Sequence, residues 1–162
     1  MATDWSRDNK YILFQWQSRQ RAPRDVWAIA ADGDGKAIQI TNTPADETVA
    51  KVSPDGHWIA YWTGSQSFGL SGVQVGTDLF VMPATGGATQ RVLKGFVSPG
   101  SPVWSPDTSQ LLFFGNTGVP SPFQTNSDWW VVSRKGGVAV KTGAVDVLEK
   151  QPDATRLPDG LA

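Results

Sequence analysis

The sequence predicts an all-β fold built from three copies of one four-stranded antiparallel unit. Three related phrases indicate the repeat: "WSRDNKYILFQW" at 5–16, "VSPDGHWIAYW" at 52–62 and "WSPDTSQLLFF" at 104–114. A second motif keeps step with the first, as "DVWAIAADGDG" from Asp25, "DLFVMPATGG" from Asp78 and "DWWVVSRKGG" from Asp128. Two motifs that recur in phase indicate a repeat architecture rather than coincidence.

Turn aspartates mark the period of the repeat. Asp8, Asp55 and Asp107 are spaced by 47 and 52 residues, and Asp159 follows after a further 52. The spacing predicts three units, at 1–43, 44–95 and 96–141. Residues 142–162 are predicted to be a linker and the start of a fourth repeat.

The first turn of each unit is clearest in the segment Ser53-Pro54-Asp55-Gly56. Proline presets φ, aspartate bonds the local backbone, and glycine takes the left-handed conformation that closes a hairpin. Asn9 stands at the glycine position of the first unit and tolerates this conformation, whereas Thr108 in the third unit does so poorly. We therefore expect structural turns at Asp8, Asp55 and Asp107, the last of them distorted.

The strands follow from the segments between turns. Apolar and aromatic runs of strand length come after each first turn, at 11–14, 58–61 and 111–114. The second motif adds a third strand in each unit, at 26–29, 79–82 and 129–132. Glycine turns end it in two units, at Gly86, Gly87, Gly136 and Gly137. Polar-alternating outer strands are expected next, at 36–41, 89–93 and 138–141.

Four antiparallel strands per 40 to 50 residues are typical of a β-propeller blade. The paired motif "VSPDGHWIAYW...DLFVMPATGG" also resembles the WD-like repeat of TolB-type propellers, over essentially residues 3–141. The resemblance implies a propeller of the kind also found in some serine peptidases and bacterial sensor regions, and it implies no single activity. Arg7, Asn9, Val52 and Thr108 depart from the family's turn motif.

Three blades are fewer than the four or more that usually close a propeller ring. The two outermost sheet faces would be rich in apolar side chains, and such surfaces normally find a partner. We expect either two chains forming a six-blade ring or a piece of a longer chain, since the repeat begins almost at Met1. The expected partner is therefore a protein, or a second copy of this chain.

The loops between the second and third strands should share the face opposite the tight turns, and variable loops on a rigid scaffold usually carry binding. The first loop holds three arginines suited to carboxylate or phosphate. The second could place Phe68 as an exposed anchor or fold onto its own blade, and the third holds Phe123 close to two prolines. Candidate ligand- or partner-binding residues are thus Arg19, Arg21, Arg24, Phe68 and Phe123. Solvated loops are the competing interpretation.

The sequence offers few residues suited to catalysis or metal binding. His57 is the single histidine, and no G-x-S-x-G motif is present. "DGDG" at 32–35 resembles a calcium loop, but Thr43 stands where a bidentate glutamate is required. We therefore expect no catalytic residue, metal or cofactor. Eight tryptophans raise a carbohydrate-binding alternative, although their strand positions favour core packing.

Charge and hydropathy restrict the partners. Fourteen Lys and Arg residues balance fifteen Asp and Glu, which gives no electrostatic case for nucleic acid or an anionic membrane. No signal peptide or membrane-length apolar run is present, so we expect a soluble chain with no membrane insertion. The compartment is left open, a periplasmic origin included.

The sequence therefore predicts a non-catalytic propeller scaffold for protein interaction or ligand sensing. A propeller domain of a larger hydrolase or lyase is the alternative, with its chemistry supplied from outside these residues.

Overall fold

The computed structural model describes residues 1–20, 22–33, 35–64, 77–97, 99–117 and 127–151. They form three four-stranded antiparallel sheets, which confirms the predicted three-blade segment of a β-propeller. Blade 1 contains β1 (Ala2–Trp5), β2 (Tyr11–Trp16), β3 (Asp25–Ala30) and β4 (Ile38–Gln39). Blade 2 contains β5 (Glu47–Val52), β6 (Trp58–Thr63), β7 (Thr77–Pro83) and β8 (Gln90–Phe96). Blade 3 contains β9 (Val103–Trp104), β10 (Gln110–Gly115), β11 (Asp128–Ser133) and β12 (Val140–Lys141).

The three blades share one strand register. Trp5 pairs with Ile12, Val52 with Ile59, and Trp104 with Leu111. Each of these partners lies at the same distance in sequence from its own turn aspartate. Positions can therefore be compared between blades by their offset from Asp8, Asp55 and Asp107.

All three first turns are built by the same hydrogen bonds. The turn serine donates to the aspartate two residues on, at 2.7 Å for Ser6, 2.5 Å for Ser53 and 2.6 Å for Ser105. The expectation that the third turn is distorted is wrong, because Thr108 adopts φ 62° beside 59° for Asn9 and 75° for Gly56. The network around Asp107 holds Thr108 in a conformation that costs a β-branched residue free energy.

Two apolar cores lie between the blades. Leu13, Val26 and Ala28 of blade 1 pack with residues of blade 2 that include Ile59 and Tyr61. The second core joins blade 2 to blade 3 and contains more large aromatic rings; it includes Trp62, Phe96, Trp104, Leu111, Phe113 and Val132. From Trp58 to Trp62, successive β6 residues face the two cores in alternation, as the two-residue period of a strand requires.

The chain after the third blade begins with a short helix, α1 (Ala144–Glu149), which the sequence analysis did not predict. Gly143 precedes it at φ 72°, and the amide of Val145 lies 3.4 Å from Asp128 Oδ1, at the start of β11. Among the described residues, no helix has the length and apolar character needed to cross a bilayer.

Candidate functional site

Each blade has a forward face, turned toward the next blade in sequence, and a rear face, turned toward the preceding one. Ala60 and Trp62 lie on the forward face of blade 2, and Leu111 and Phe113 on the rear face of blade 3. By the shared register, the rear face of blade 1 and the forward face of blade 3 carry the corresponding residues at the two ends of the arc.

The rear face of blade 1 is apolar and incompletely buried. Trp5 is 54% exposed and Trp16 57% exposed, and the remaining members are half-buried. The face comprises Trp5, Ile12, Phe14, Trp16, Trp27 and Ile29. Except for Trp16, every one of them corresponds to an apolar residue in the blade 1 to 2 or blade 2 to 3 core.

The forward face of blade 3 has the same character. Val103 is 51% exposed and Val140 66% exposed, while Phe114 meets Trp129 edge-on at 5.5 Å. The face comprises Val103, Leu112, Phe114, Trp129, Val131 and Val140. Large apolar side chains in this number are what a blade presents to a neighbour.

Covered blade faces show what such contacts look like. Trp62 meets Phe113 edge-on at 5.3 Å across the blade 2 to 3 boundary. The indole nitrogen of Trp104 donates to the carbonyl of Lys51 at 3.0 Å, and that of Trp62 donates to Gly100 at 3.1 Å. Aromatic burial combined with indole hydrogen bonds therefore joins these blades.

A groove of about 860 Å³ opens between blades 1 and 2 on the side of the tight turns. Aliphatic side chains line its interior, and the turns of both blades form its rim. The aliphatic set is Leu13, Ile38, Ile40, Val52 and Ile59. Tyr11, Asp8, Asp55, His57 and Ala84 also line it. A concave apolar space with a few polar groups is the usual form of a binding site.

The carboxylates of the turns are kept ionised by their hydrogen bonds. Bonds from Ser6 and from the Lys10 amide lower the pKa of Asp8. Burial acts to raise the pKa of Asp55, but bonds from Ser53 and the His57 amide outweigh it and lower the pKa. For Asp107, the bond from Ser105 and those from Ser109 lower the pKa to about 2.

A buried acid lies on the opposite, loop-bearing side of the same blade boundary. Glu47 is fully buried and accepts hydrogen bonds from Thr41, at 2.6 Å, and from Thr43. Burial raises the pKa of Glu47, and the charge of nearby Asp25 acts in the same direction. The Glu47 carboxyl therefore favours its protonated form more than a solvated glutamate does.

The predicted loop residues are placed only in part. Arg24 forms an ion pair with Asp46, with Nη2 3.2 Å from Oδ2, and its backbone amide donates to the same carboxylate at 2.7 Å. Arg24 thus ties the first loop to the connection between blades 1 and 2. Arg19 is exposed. Arg21, Phe68 and Phe123 lie outside the described residues.

Other chemistry is sparse in the part of the chain that the structure describes. No cluster of three or more His, Asp or Glu side chains suited to a metal ion occurs there. His57 is exposed beside Asp55, with Nδ1 3.5 Å from Oδ2. Gly33 of the "DGDG" segment takes φ 82°, and its amide donates to Ala30 in the connection between β3 and β4. The groove and the two end faces are therefore the features suited to binding.

Comparison with solved structures supports the fold. A putative TolB from Agrobacterium tumefaciens matches 86% of this chain and 47% of its own, with a TM-score of 0.67 and 18% identity. TolB from Acinetobacter baumannii matches 85% of this chain and 30% of its own, at 0.60 and 14%. The β-propeller domain of the Trilobed protease from Pyrococcus furiosus matches 81% and 37%, at 0.51 and 14%. This chain thus spans less than half the length of each.

No protein-family profile matches the chain. No curated protein sequence matches it either. The likeness to the solved structures therefore shows a TolB-like propeller fold.

Proposed function

We propose that this chain is a non-catalytic propeller scaffold that acts by binding proteins, and that its two end faces bind a second copy of itself. The observation that carries the proposal is the correspondence between exposed and buried positions. Most apolar residues of the uncovered rear face of blade 1 correspond to residues buried between blades elsewhere in the same chain. Because the corresponding residues form blade contacts elsewhere in the chain, another blade of the same repeat is the best-matched partner for this face.

The register gives the expected contacts one by one. Phe114 corresponds to Trp62 and Phe14 corresponds to Phe113, so Phe114 should meet Phe14 of a second copy edge-on. Trp5 corresponds to Trp104, and Val103 corresponds to Lys51. The Trp5 indole should therefore donate to the Val103 carbonyl of the second copy.

Symmetry sets the size of the assembly. The forward face of blade 3 would pack on the rear face of blade 1 in a second copy, and a twofold axis repeats that contact at the other end. The ring then has six blades, within the four to eight that propellers commonly use.

Solution mass tests the assembly. Light scattering behind size exclusion should give twice the 17.5 kDa mass of the chain. Phe14→Glu and Phe114→Glu should each give monomers, because either change buries a charge in both contacts of the ring. Leu148→Glu is the matched control, since Leu148 is 58% exposed on α1. A monomeric wild-type chain would overturn the second copy as partner.

Mixing the two variants tests the head-to-tail arrangement. A pair made of one Phe14→Glu chain and one Phe114→Glu chain retains one wild-type contact, so the mixture should recover dimers that neither variant forms alone. If Phe14→Glu alone stays dimeric, like faces meet each other and the head-to-tail ring is wrong.

A propeller domain of a larger peptidase is the second candidate, supported by fold similarity. An isopeptidase, AtxE2, matches 93% of this chain and 30% of its own at a TM-score of 0.59, and an acylaminoacyl peptidase matches 86% and 24% at 0.53. Labelling the natural full-length protein with a fluorophosphonate probe distinguishes the two. Covalent labelling of a serine would favour the peptidase, and a non-catalytic scaffold should stay unlabelled.

A further inference from the structure

The groove between blades 1 and 2 has a counterpart between blades 2 and 3, and a side chain fills only the second. An equivalent backbone hydrogen bond in blades 2 and 3 shows that the two grooves correspond. The amide of Ala84 donates to the carbonyl of His57 at 2.8 Å, and the amide of Arg134 donates to that of Ser109 at 2.9 Å. Ala84 and Arg134 therefore occupy equivalent positions after the third strand of their blades, and each lies at the boundary with the preceding blade.

Arginine fills the second groove. The guanidinium carbon of Arg134 lies 4.2 Å from the ring centroid of Trp58, a distance typical of a cation–π contact. In the first groove the corresponding residues are Ala84 and Tyr11, and Tyr11 is 41% exposed. An aromatic ring is thus retained while the side chain that would cover it is missing.

Charges of both signs lie at the rim of the first groove. By the repeat, turn carboxylates flank both grooves: Asp8 and Asp55 flank the first, and both stay ionised at neutral pH. Lys10 pairs with Asp8 at 3.6 Å, and Arg7 also lines the rim. Arg7 stands where blade 2 has Pro54, and its guanidinium, like the ammonium group of Lys10, opposes a cationic ligand.

We propose that this groove binds an arginine side chain of a peptide, with the guanidinium over Tyr11 and aliphatic neighbours of that arginine against Leu13, Ile38 and Ile40. The chain itself shows the pairing in the neighbouring groove, where a guanidinium lies on the corresponding ring. A peptide is favoured over free arginine because the aliphatic lining extends beyond the ring. The site lies within one chain and is independent of dimer formation.

Peptide titration tests the proposal. The probe is acetyl-Leu-Arg-Leu-amide, followed by amide chemical shifts of the full-length chain. Shifts should concentrate at Tyr11, His57 and Ala84. Replacing arginine by citrulline, which keeps the shape and removes the charge, should weaken binding about tenfold. Equal binding of the citrulline peptide would overturn the cation site, and equal binding of free arginine would overturn the peptide as its source.

The most direct test is a variant in which a side chain fills the first groove. Tyr11→Trp combined with Ala84→Arg copies the Trp58 and Arg134 pair, so it should abolish the shifts and raise the urea midpoint. Undiminished peptide binding by this variant would place the peptide elsewhere and overturn the proposal.

The converse variant opens the second groove. Arg134→Ala should give a second set of shifts around Trp58 with the arginine peptide. A folded Arg134→Ala chain without that second set would refute the correspondence between the grooves. Arg7→Gln, which removes one opposing charge, should tighten binding at the first groove, and weaker binding would count against a cationic ligand.

Discussion

The boundary between blades 1 and 2 and that between blades 2 and 3 use the same strands of the same repeat, yet they are held together differently. Edge-on aromatic rings dominate the second, where Phe113 meets Trp62 at 5.3 Å and Phe96 at 4.9 Å. The first combines smaller apolar side chains with ion pairs and a buried acid, and it retains a groove.

The repeat thus determines which strands of two blades meet, but it does not determine which interactions join them. Lys51 shows the contrast within one residue. Its ammonium group lies 3.8 Å from Asp4 on one side, and its carbonyl accepts the Trp104 indole on the other. We therefore expect the aromatic boundary to resist opening and the polar, grooved boundary to respond to pH and accept a ligand.

The largest expected effect distinguishes the two boundaries at equivalent positions. Phe113→Ala should lower the free energy of unfolding by about 3–5 kcal/mol, as removal of a buried phenylalanine does. Tyr61→Ala at the matching position of blade 2 should cost about 1 kcal/mol less, because the ring of Tyr61 stacks on Phe80 of its own blade, at 5.8 Å, whereas that of Phe113 meets Trp62 across the boundary. Urea unfolding measures both.

Hydrogen exchange locates the loss in each variant. Phe113→Ala should expose amides of β10 and β11 first, and Tyr61→Ala should expose those of β2 and β6. Equal losses spread over all three blades would show that the boundaries do not differ in strength.

The next largest effect is the pH dependence of stability, which we expect from the boundary between blades 1 and 2. Because the pKa of Glu47 is raised in the folded chain, the folded state binds more protons than the unfolded state above the ordinary value of 4.5. The free energy of unfolding should then fall as pH rises from about 4.5 through the folded pKa. Glu47→Gln should remove that fall while costing about 1–3 kcal/mol at low pH, where it alters a buried hydrogen-bonded group.

Two features of the chain isolate this effect. Glu149, the other glutamate of the sequence, is exposed on α1, so Glu149→Gln should leave the pH dependence unchanged. The turn aspartates have lowered pKa values, so their stabilising contribution is lost only as pH falls below their unfolded value of 3.8. Urea midpoints between pH 4 and pH 8 therefore report on Glu47, and a fall that persists in Glu47→Gln would contradict its assignment.

Sequence reasoning reached the blades because the signals are local. The turn motif around Asp55 and the apolar run after it determine a hairpin without reference to distant residues, and β6 extends only two residues beyond the predicted run. Outer strands were harder, since their length depends on pairing. The strand predicted at 36–41 is reduced to Ile38–Gln39, whereas that predicted at 89–93 extends over Gln90–Phe96.

The candidate groove required a contact that single segments do not show. Ala84 matters because it lies opposite Tyr11, far away in sequence, and the missing side chain is visible only against Arg134 and Trp58. An alignment of the three repeats places Ala31 and Ala84 of the first two repeats opposite Arg134 of the third. The missing arginine side chain could therefore have been found from the sequence. The six-residue helix α1 carried no comparable signal, because so short a helix depends on what it packs against.

The smallest expected effect concerns backbone strain in the first turns of blades 2 and 3. Thr108 holds φ 62° in the turn of blade 3, while Gly56 holds 75° in that of blade 2. Relief of about 1–2 kcal/mol of left-handed strain, less about 0.5–1 kcal/mol for glycine entropy, should make Thr108→Gly stabilising by about 0–1.5 kcal/mol.

Gly56→Thr is the matched change in the opposite direction. A Cβ at Gly56 meets nothing within 4 Å, so no steric clash is expected, and backbone strain less the glycine entropy gives a net cost of about 0–1.5 kcal/mol. Thermal and urea unfolding of both variants give the comparison. If Thr108→Gly is destabilising, the packing of the buried threonine side chain contributes more to stability than its backbone conformation costs.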